Sequence, residues 1–307
     1  MNLEQLAGRL AHPQVRALAW LIGSPVLLDE GDPRFAGRLV GDAWCHAALA
    51  QAAPWLLDLD RDPQPLIDFL AARPTRRLGL LAESLIAFWL RSRPGLELLA
   101  QNLPVRSPAR TLGEFDFIFR EAGLSMATHW ETAIKFYLFR PELGGLAGYV
   151  GPGAQDVLAA KVELVFGHQF ILGASAEGVQ ALKALGVTQL QPHAWLKGWL
   201  FYPRGYAGPA AAGVSPRHAR GWWLRLGHNW EDALSDGSRY AILPRLDWMT
   251  WPWVAPAEQT LERGTLVAAV EVRISAGGGA LMVVELDATG AAAGRETSRG
   301  FVVPADW

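Results

Sequence analysis

The chain has 307 residues, half of them hydrophobic and 19% charged, a globular composition far from the disordered regime and sufficient for one large domain or two. Its formal net charge of −2 lacks the basic surplus of a sequence-independent nucleic-acid binder, so any such surface has to be local, as at Arg73, Arg76 and Arg77 or Arg217 and Arg220. The single cysteine, Cys45, excludes an intrachain disulfide and a cysteine-based zinc site, and no apolar run of about 18 residues signals a membrane span.

The opening MNLEQLAGRLAHPQVRALAW has an acid at Glu4 and no clean apolar stretch after a basic start, so a cytoplasmic address is expected rather than secretion. Residues 1–75 read as a helical region. Apolar residues recur at helical spacing through 35–52, and a break is expected between Pro54 and Pro65. Thr75 is placed to cap a helix through RRLGLLAESLIAFWL, apolar nearly all round and therefore buried, which Pro94 and Gly95 end.

The period then changes. Strands are predicted near 99–105, 113–120 and 126–138. LGEFDFIFR and MATHWETAIKFYLFR alternate and are rich in aromatic and β-branched residues, with Gly123 in the turn of a hairpin. The Gly- and Pro-rich segment after Arg140 is a loop. A helix follows over 156–173, a second over 176–185, and HAWLKGWLFYP reads as a further strand. From residue 204 to 307 the chain reads as a Trp-rich, mainly β region, with strands expected in TLVAAVEVRI, ALMVVELDA and GFVVP. Most of the 14 tryptophans lie after residue 194, including Trp222, Trp223, Trp248, Trp251 and Trp253. They serve either as core packing or as stacking platforms for single-stranded nucleic acid.

Three elements that read as buried each carry an acid. Glu83 interrupts the apolar helix, Asp116 sits among Phe115, Phe117, Ile118 and Phe119, and Glu131 shares a strand with Lys135. A buried ionised group needs a partner or a metal, because leaving water costs several kcal/mol. Strand parity puts Glu131, Ala133, Lys135 and Tyr137 on one face, and Glu114 and Asp116 on a face opposite Phe115, Phe117 and Phe119. Aligned polar faces make a carboxylate cluster beside an ammonium. Such a cluster suits Mg²⁺ or Mn²⁺, which polarises a phosphodiester and helps to generate hydroxide. No HExxH, P-loop or G-x-G-x-x-G motif is present, and Cys45 has no evident catalytic partner.

Glu83 in a helix, GEFD ending at Asp116 and a strand ending in Lys135 resemble the PD-(D/E)XK superfamily. More narrowly, LAESLIAFWL, GEFDFIF, HWETAIKF, HQF and WLKGWLFYP resemble the bacterial domain-of-unknown-function 1853 family over roughly residues 75–255. The narrower family implies no activity. The superfamily resemblance implies a restriction-endonuclease-like α/β core over residues 76–203, a mixed sheet flanked by helices. It also implies metal-dependent cleavage of DNA or RNA, with Glu83, Asp116 and Glu131 as metal ligands and Lys135 beside the scissile phosphate. Gln169 is similar to a glutamine that orients lysine or substrate in exonuclease-like members. One departure stands out. The superfamily acid two residues before the lysine is Ala133 here, and Glu131 lies four residues back, about 13 Å along a straight strand. Either a bulge shortens that span, or Glu131 serves a second metal, or Glu83 supplies the ligand and Glu131 is peripheral, or the site is a non-catalytic remnant. In the last case the chain is a nucleic-acid-binding or protein-interaction module on the same fold.

Overall fold

A computed structural model describes residues 1–289 and 293–307. Five helices come first: α1 (Leu3–Ala7), α2 (Pro13–Gly23), α3 (Asp42–Arg61), α4 (Gln64–Ala71) and α5 (Leu78–Ser92). α3 runs through Pro54 to Arg61, so the break expected between Pro54 and Pro65 falls at Asp62 and Pro63. Its buried residues Cys45, Leu49, Ala52 and Leu56 keep a helical stripe on either side of the proline. In α5 the stripe is Ala82, Leu85, Ile86, Trp89 and Leu90, all buried. Thr75 does not cap it. Its hydroxyl accepts the Arg77 N–H at 3.0 Å in a local turn, and Arg77 is the residue at the cap.

The predicted strands are present, the first two longer than expected and the third shifted by one residue: β1 (Leu96–Arg106), β2 (Thr111–Glu121) and β3 (Ala127–Phe139). The short β4 (Tyr149–Val150) pairs with the end of β3. Next comes one continuous helical run, α6 (Leu158–Glu163), a π-helical turn Leu164–Gln169 and α7 (Phe170–Leu172), followed by α8 (Ala176–Ala184) and β5 (Leu190–Pro203). The remainder is β6 (Ala219–Arg225), β7 (Arg239–Ile242), α9 (Arg263–Ser275), β8 (Leu281–Leu286) and β9 (Glu296–Val303). The strand expected in TLVAAVEVRI is therefore a helix. Its β-branched content favours a strand, but Leu266, Val270 and Ile274 recur every four residues and are the ones buried.

Among the described residues nine strands form a single mixed sheet in the order β1-β2-β3-β5-β6-β9-β8-β7, with β4 beside β3. β1, β2 and β3 are antiparallel neighbours; β3, β5, β6 and β9 run parallel; β8 and β7 close the far side antiparallel. The N-terminal helices cover one face, where Leu18, Leu21, Leu85 and Trp89 share a core with Phe117, Trp130, Phe136, Trp195 and Phe301. On the other face Leu158 and Val165 of the α6–α7 run pack on Tyr137, Leu196 and Leu200, and Leu266 and Val270 of α9 pack on Trp222 and Val302. The tryptophans serve mainly as packing. Trp222, Trp248 and Trp253 are buried and Trp223 and Trp251 half-buried, so these five do not line an exposed stacking groove. No helix among the described residues is long and apolar enough to cross a membrane.

One buried ion pair ties β9 to the loop before α9. Arg299 donates to Glu296 at 2.5 and 2.6 Å and to the Trp248 and Thr250 carbonyls at 2.6 and 2.9 Å. Removing one member of a buried pair leaves an uncompensated charge. Arg299→Met is expected to lower folding free energy by about 3–5 kcal/mol in urea denaturation with an unchanged m value. A loss within ~0.5 kcal/mol, the range of ordinary surface substitutions, would refute that role.

Candidate acidic site

The site begins where a β-ladder stops. The β2–β3 pairs run Phe119–Thr128, Ile118–His129 and Phe117–Trp130. The next residue of β2 is Asp116, and its carboxylate takes over from the backbone. Oδ2 accepts the Thr132 N–H at 2.8 Å and the Thr132 hydroxyl at 3.1 Å. The side-chain alternation slips at the same point. Phe115 packs with Val105, Ile118 and Leu172 on the α7 side, whereas Phe117 and Phe119 pack with Trp130 on the side of the N-terminal helices. The expectation that Phe115, Phe117 and Phe119 share a face is thus corrected: the irregularity at Asp116 separates the first from the other two. On β3 the expected parity holds, with Ala133 and Tyr137 on the α6 side and Trp130, Ile134, Phe136 and Leu138 on the other.

Glu131 is 2% exposed and lies under the α6–α7 run. Lys161 of α6 donates to its Oε1 at 3.1 Å, and Gln169, at the end of the π-helical turn, reaches its Oε2 at 3.4 Å. π-Helical turns occur often at functional sites. His168 and Gln169, consecutive residues of this turn, both lie against β2: His168 Nδ1 is 3.2 Å from Gln169 Oε1, and Gln169 Nε2 is 3.4 Å from the Glu114 carbonyl. Gly113 leaves room for them, since a Cβ there would stand 2.9 Å from Gln169 Oε1 and 3.6 Å from His168 Cε1.

Glu83 arrives from α5 and accepts the Asn102 amide at 3.1 Å, from a β1 residue whose φ of 51° marks a break in that strand. Burial raises the Glu83 carboxyl above its ordinary value; the Asn102 hydrogen bond opposes the rise, and the negative charges of Asp116 and Glu114 add to it. Asp116 is raised for the same leading reason, with Thr132 and Lys161 holding it down. Glu131 is pushed up to about 7, first by burial and then by Asp116, against Lys161 and Gln169. Asp116 therefore raises both Glu83 and Glu131, and the Lys161 charge opposes the rise at all three acids.

Of the residues singled out from sequence, Asp116, Glu131 and Gln169 come together, and Glu83, bonded to Asn102, stands within electrostatic reach of Asp116. Lys135 does not join them. Its ammonium lies 2.5 Å from Asp156, which also accepts the Tyr137 hydroxyl at 3.1 Å. The straight course of β3 explains the separation: twelve consecutive residues, Ala127 to Leu138, pair in register with β5, and no bulge brings position 135 back towards 131. Lys161 occupies the place expected for Lys135. No local signal in the sequence marks it, since a lysine on a helix ordinarily reads as solvated.

Among the described residues, no group of three or more His, Cys, Asp or Glu side chains is placed to hold a metal ion. An all-protein metal cage is thus not what these residues offer. Two neighbouring buried carboxylates, Asp116 and Glu131, are; Mg²⁺ is commonly bound through one or two carboxylates, with water and substrate phosphate completing its shell. Burial is the first cause that raises both carboxyls, with Asp116 adding to it at Glu131 and Lys161 opposing it at both; a bound cation would favour their charged forms. In kind, two carboxylates completed by water and substrate phosphate are donors that a hard divalent cation takes.

A family model described as Domain of unknown function (DUF1853) matches residues 16–303. No curated protein and no solved structure matches the chain.

Proposed function

Because the chain belongs to the DUF1853 family, whose description carries no activity, its function has to be read from the acidic site, and we propose that this site makes it a nuclease-like phosphodiester hydrolase acting on DNA or RNA. The observation that carries the reading is the Asp116–Glu131 pair, buried side by side at a break in the β2–β3 ladder, with Lys161 and Gln169 closing over it. The order helix, hairpin, helical run, parallel strand, with Glu83, Asp116 and Gln169 on corresponding elements and Glu131 two residues before the usual acid position, supports a PD-(D/E)XK-type core.

Asp116 and Glu131 would hold Mg²⁺ or Mn²⁺, with the Glu83 carboxyl within electrostatic reach of Asp116. When bound, the ion polarises the phosphodiester and lowers the pKa of its water. Thr132 fixes the Asp116 carboxylate through two hydrogen bonds, so that one oxygen remains to face the site. Gln169 holds Glu131 Oε2 through one hydrogen bond at 3.4 Å, and Lys161 engages Oε1 at 3.1 Å. Lys161 supplies a positive charge beside the position where a phosphoryl oxygen gains negative charge. Wild-type protein is expected to cleave single- or double-stranded DNA or RNA only with a divalent cation, and Asp116→Asn to lose on the order of 10²-fold or more of that rate. Absence of both cleavage and divalent-ion binding in the wild type would overturn the proposal.

One observation favours a second reading. Lys161 already neutralises Glu131, with side-chain exposures of 14% and 3%, so the cluster can also stand as a closed ion pair. In that reading the chain binds nucleic acid or a protein partner without cutting. Retained oligonucleotide binding in the wild type, without cleavage at any metal concentration, would select it.

A further inference from the structure

A second opening lies over β5, β6 and β9, among residues distinct from those of the acidic site. It is a cavity of about 190 Å³ lined by Tyr202, Arg204, Tyr206, Arg220, Trp222 and Ser298. Arg204 follows β5. Its Nη2 donates to Glu285 at 2.7 Å and to Ser235 at 3.0 Å, and its guanidinium lies 4.5 Å from the centre of the Trp222 ring. Its Nη1, however, is enclosed and has no hydrogen-bond partner among the described residues. An enclosed donor without an acceptor is unfavourable, and native structures seldom leave one unless a ligand or water completes it.

Arg220 stands beside it on β6. Its exposed guanidinium lies 3.7 Å from the centre of the Tyr202 ring and donates to the Tyr206 carbonyl at 3.3 Å. Among the described residues no carboxylate pairs with it. The charges at the cavity confirm the surplus. Arg299, also in the lining, is matched by Glu296, and Arg204 by Glu285, so the third cation, Arg220, remains unmatched.

We propose that this cleft binds the phosphoryl group of a phosphate or phosphate ester, held by the Arg220 guanidinium and, once a side-chain rotation uncovers it, by Arg204 Nη1. Planar guanidinium forks suit phosphate oxygens in number and geometry. The aromatic rings hold both cations in place: Trp222 lies under Arg204 and Tyr202 under Arg220. The volume admits a terminal phosphoryl group rather than a long stretch of polymer. The inference is independent of cleavage at Asp116 and Glu131.

The test uses the full chain. The indole N–H resonance of Trp222, which donates to Ser298 at 2.9 Å, reports on the cavity wall. Titration with sodium phosphate should move it saturably, and sodium chloride at matched ionic strength should not. Arg220→Ala, at an exposed side chain, should keep the fold and weaken phosphate binding about tenfold or more, the scale of one charge-assisted hydrogen bond. Arg204→Lys, which keeps the charge facing Glu285 but lacks Nη1, should weaken it as well. A 5′-phosphorylated dinucleotide binding more tightly than inorganic phosphate assigns the group to a nucleic-acid end; the reverse order assigns it to free phosphate. A Trp222 resonance that phosphate leaves unmoved, or equal phosphate affinity in wild type and Arg220→Ala, overturns the proposal.

Discussion

Lys161→Met is expected to destabilise the protein by about 3–5 kcal/mol at pH 8, the usual consequence of breaking a buried ion pair from one side. Glu131 would be left with a 3.4 Å hydrogen bond from Gln169 and with Asp116 as a repelling neighbour. The loss should shrink at pH 6. Without the lysine the Glu131 carboxyl, already at about 7, moves higher still and takes up a proton instead of remaining charged. Lys161→Arg should recover most of the stability. Lys135→Met, by contrast, should cost about 1 kcal/mol or less, because its pair with Asp156 is 28% and 45% exposed and screened by water. Denaturant unfolding of the three variants at both pH values measures this directly. A Lys135→Met loss equal to that of Lys161→Met would show that the wrong lysine has been placed in the site.

The second large effect is on the pH dependence of stability. The Glu131 carboxyl lies near 7 in the folded chain against 4.5 ordinarily, so between those values the folded state holds a proton that the unfolded state has released. Its contribution is therefore fully present below about 4.5 and is lost as pH rises through about 7. The shift corresponds to something on the order of 3 kcal/mol. His129 acts in the opposite sense. Burial, and secondarily His193, lowers it to about 4, so its contribution is lost as pH falls below 6.5 towards 4. The two slopes overlap, and the informative quantity is the difference between wild type and Glu131→Gln. That difference should favour the Gln variant increasingly from pH 5 to pH 8. In the wild type Mg²⁺ should raise the melting temperature at pH 8 and have little effect at pH 5, where the carboxyl is protonated. Saturation at a hundredfold excess over Kd would be worth about 2.7 kcal/mol. Parallel pH curves for wild type and variant would rule out Glu131 as the titrating group.

The hairpin was legible because its signals are local. Alternation over β2 and β3, Gly123 in the turn and the apolar stripe of α5 place Glu83, Asp116 and Glu131 on the right elements. What escaped depends on contacts distant in the chain. Lys161 sits on a helix, where a lysine ordinarily reads as solvated, and its role exists only once α6 is seated over Glu131. The slip at Asp116 has no local signature, since the side chain bonds across to Thr132 on another strand. TLVAAVEVRI misled through its valines, whose preference for strands yielded to the packing of Leu266 and Val270 against Trp222 and Val302. Nothing in the run of residues shows that β6, β9, β8 and β7 extend the same sheet, because parallel pairing joins segments far apart in the chain.

That continuity limits how the acidic site could be transplanted. Five backbone pairs, from Trp199–Ala219 to Pro203–Trp223, bind β5 to β6. A chain ending at Pro203 would present the second half of β5 as a bare edge with Phe201 and Tyr202 beside it, the kind of surface on which strands of separate molecules add to one another. β5 is also the strand that aligns β3 through twelve pairs, Glu131 with Ala194 among them. The carboxylates are consequently not a cassette that can be lifted out with their hairpin and helix; the Trp-rich half of the sheet is the scaffolding that keeps their strand straight.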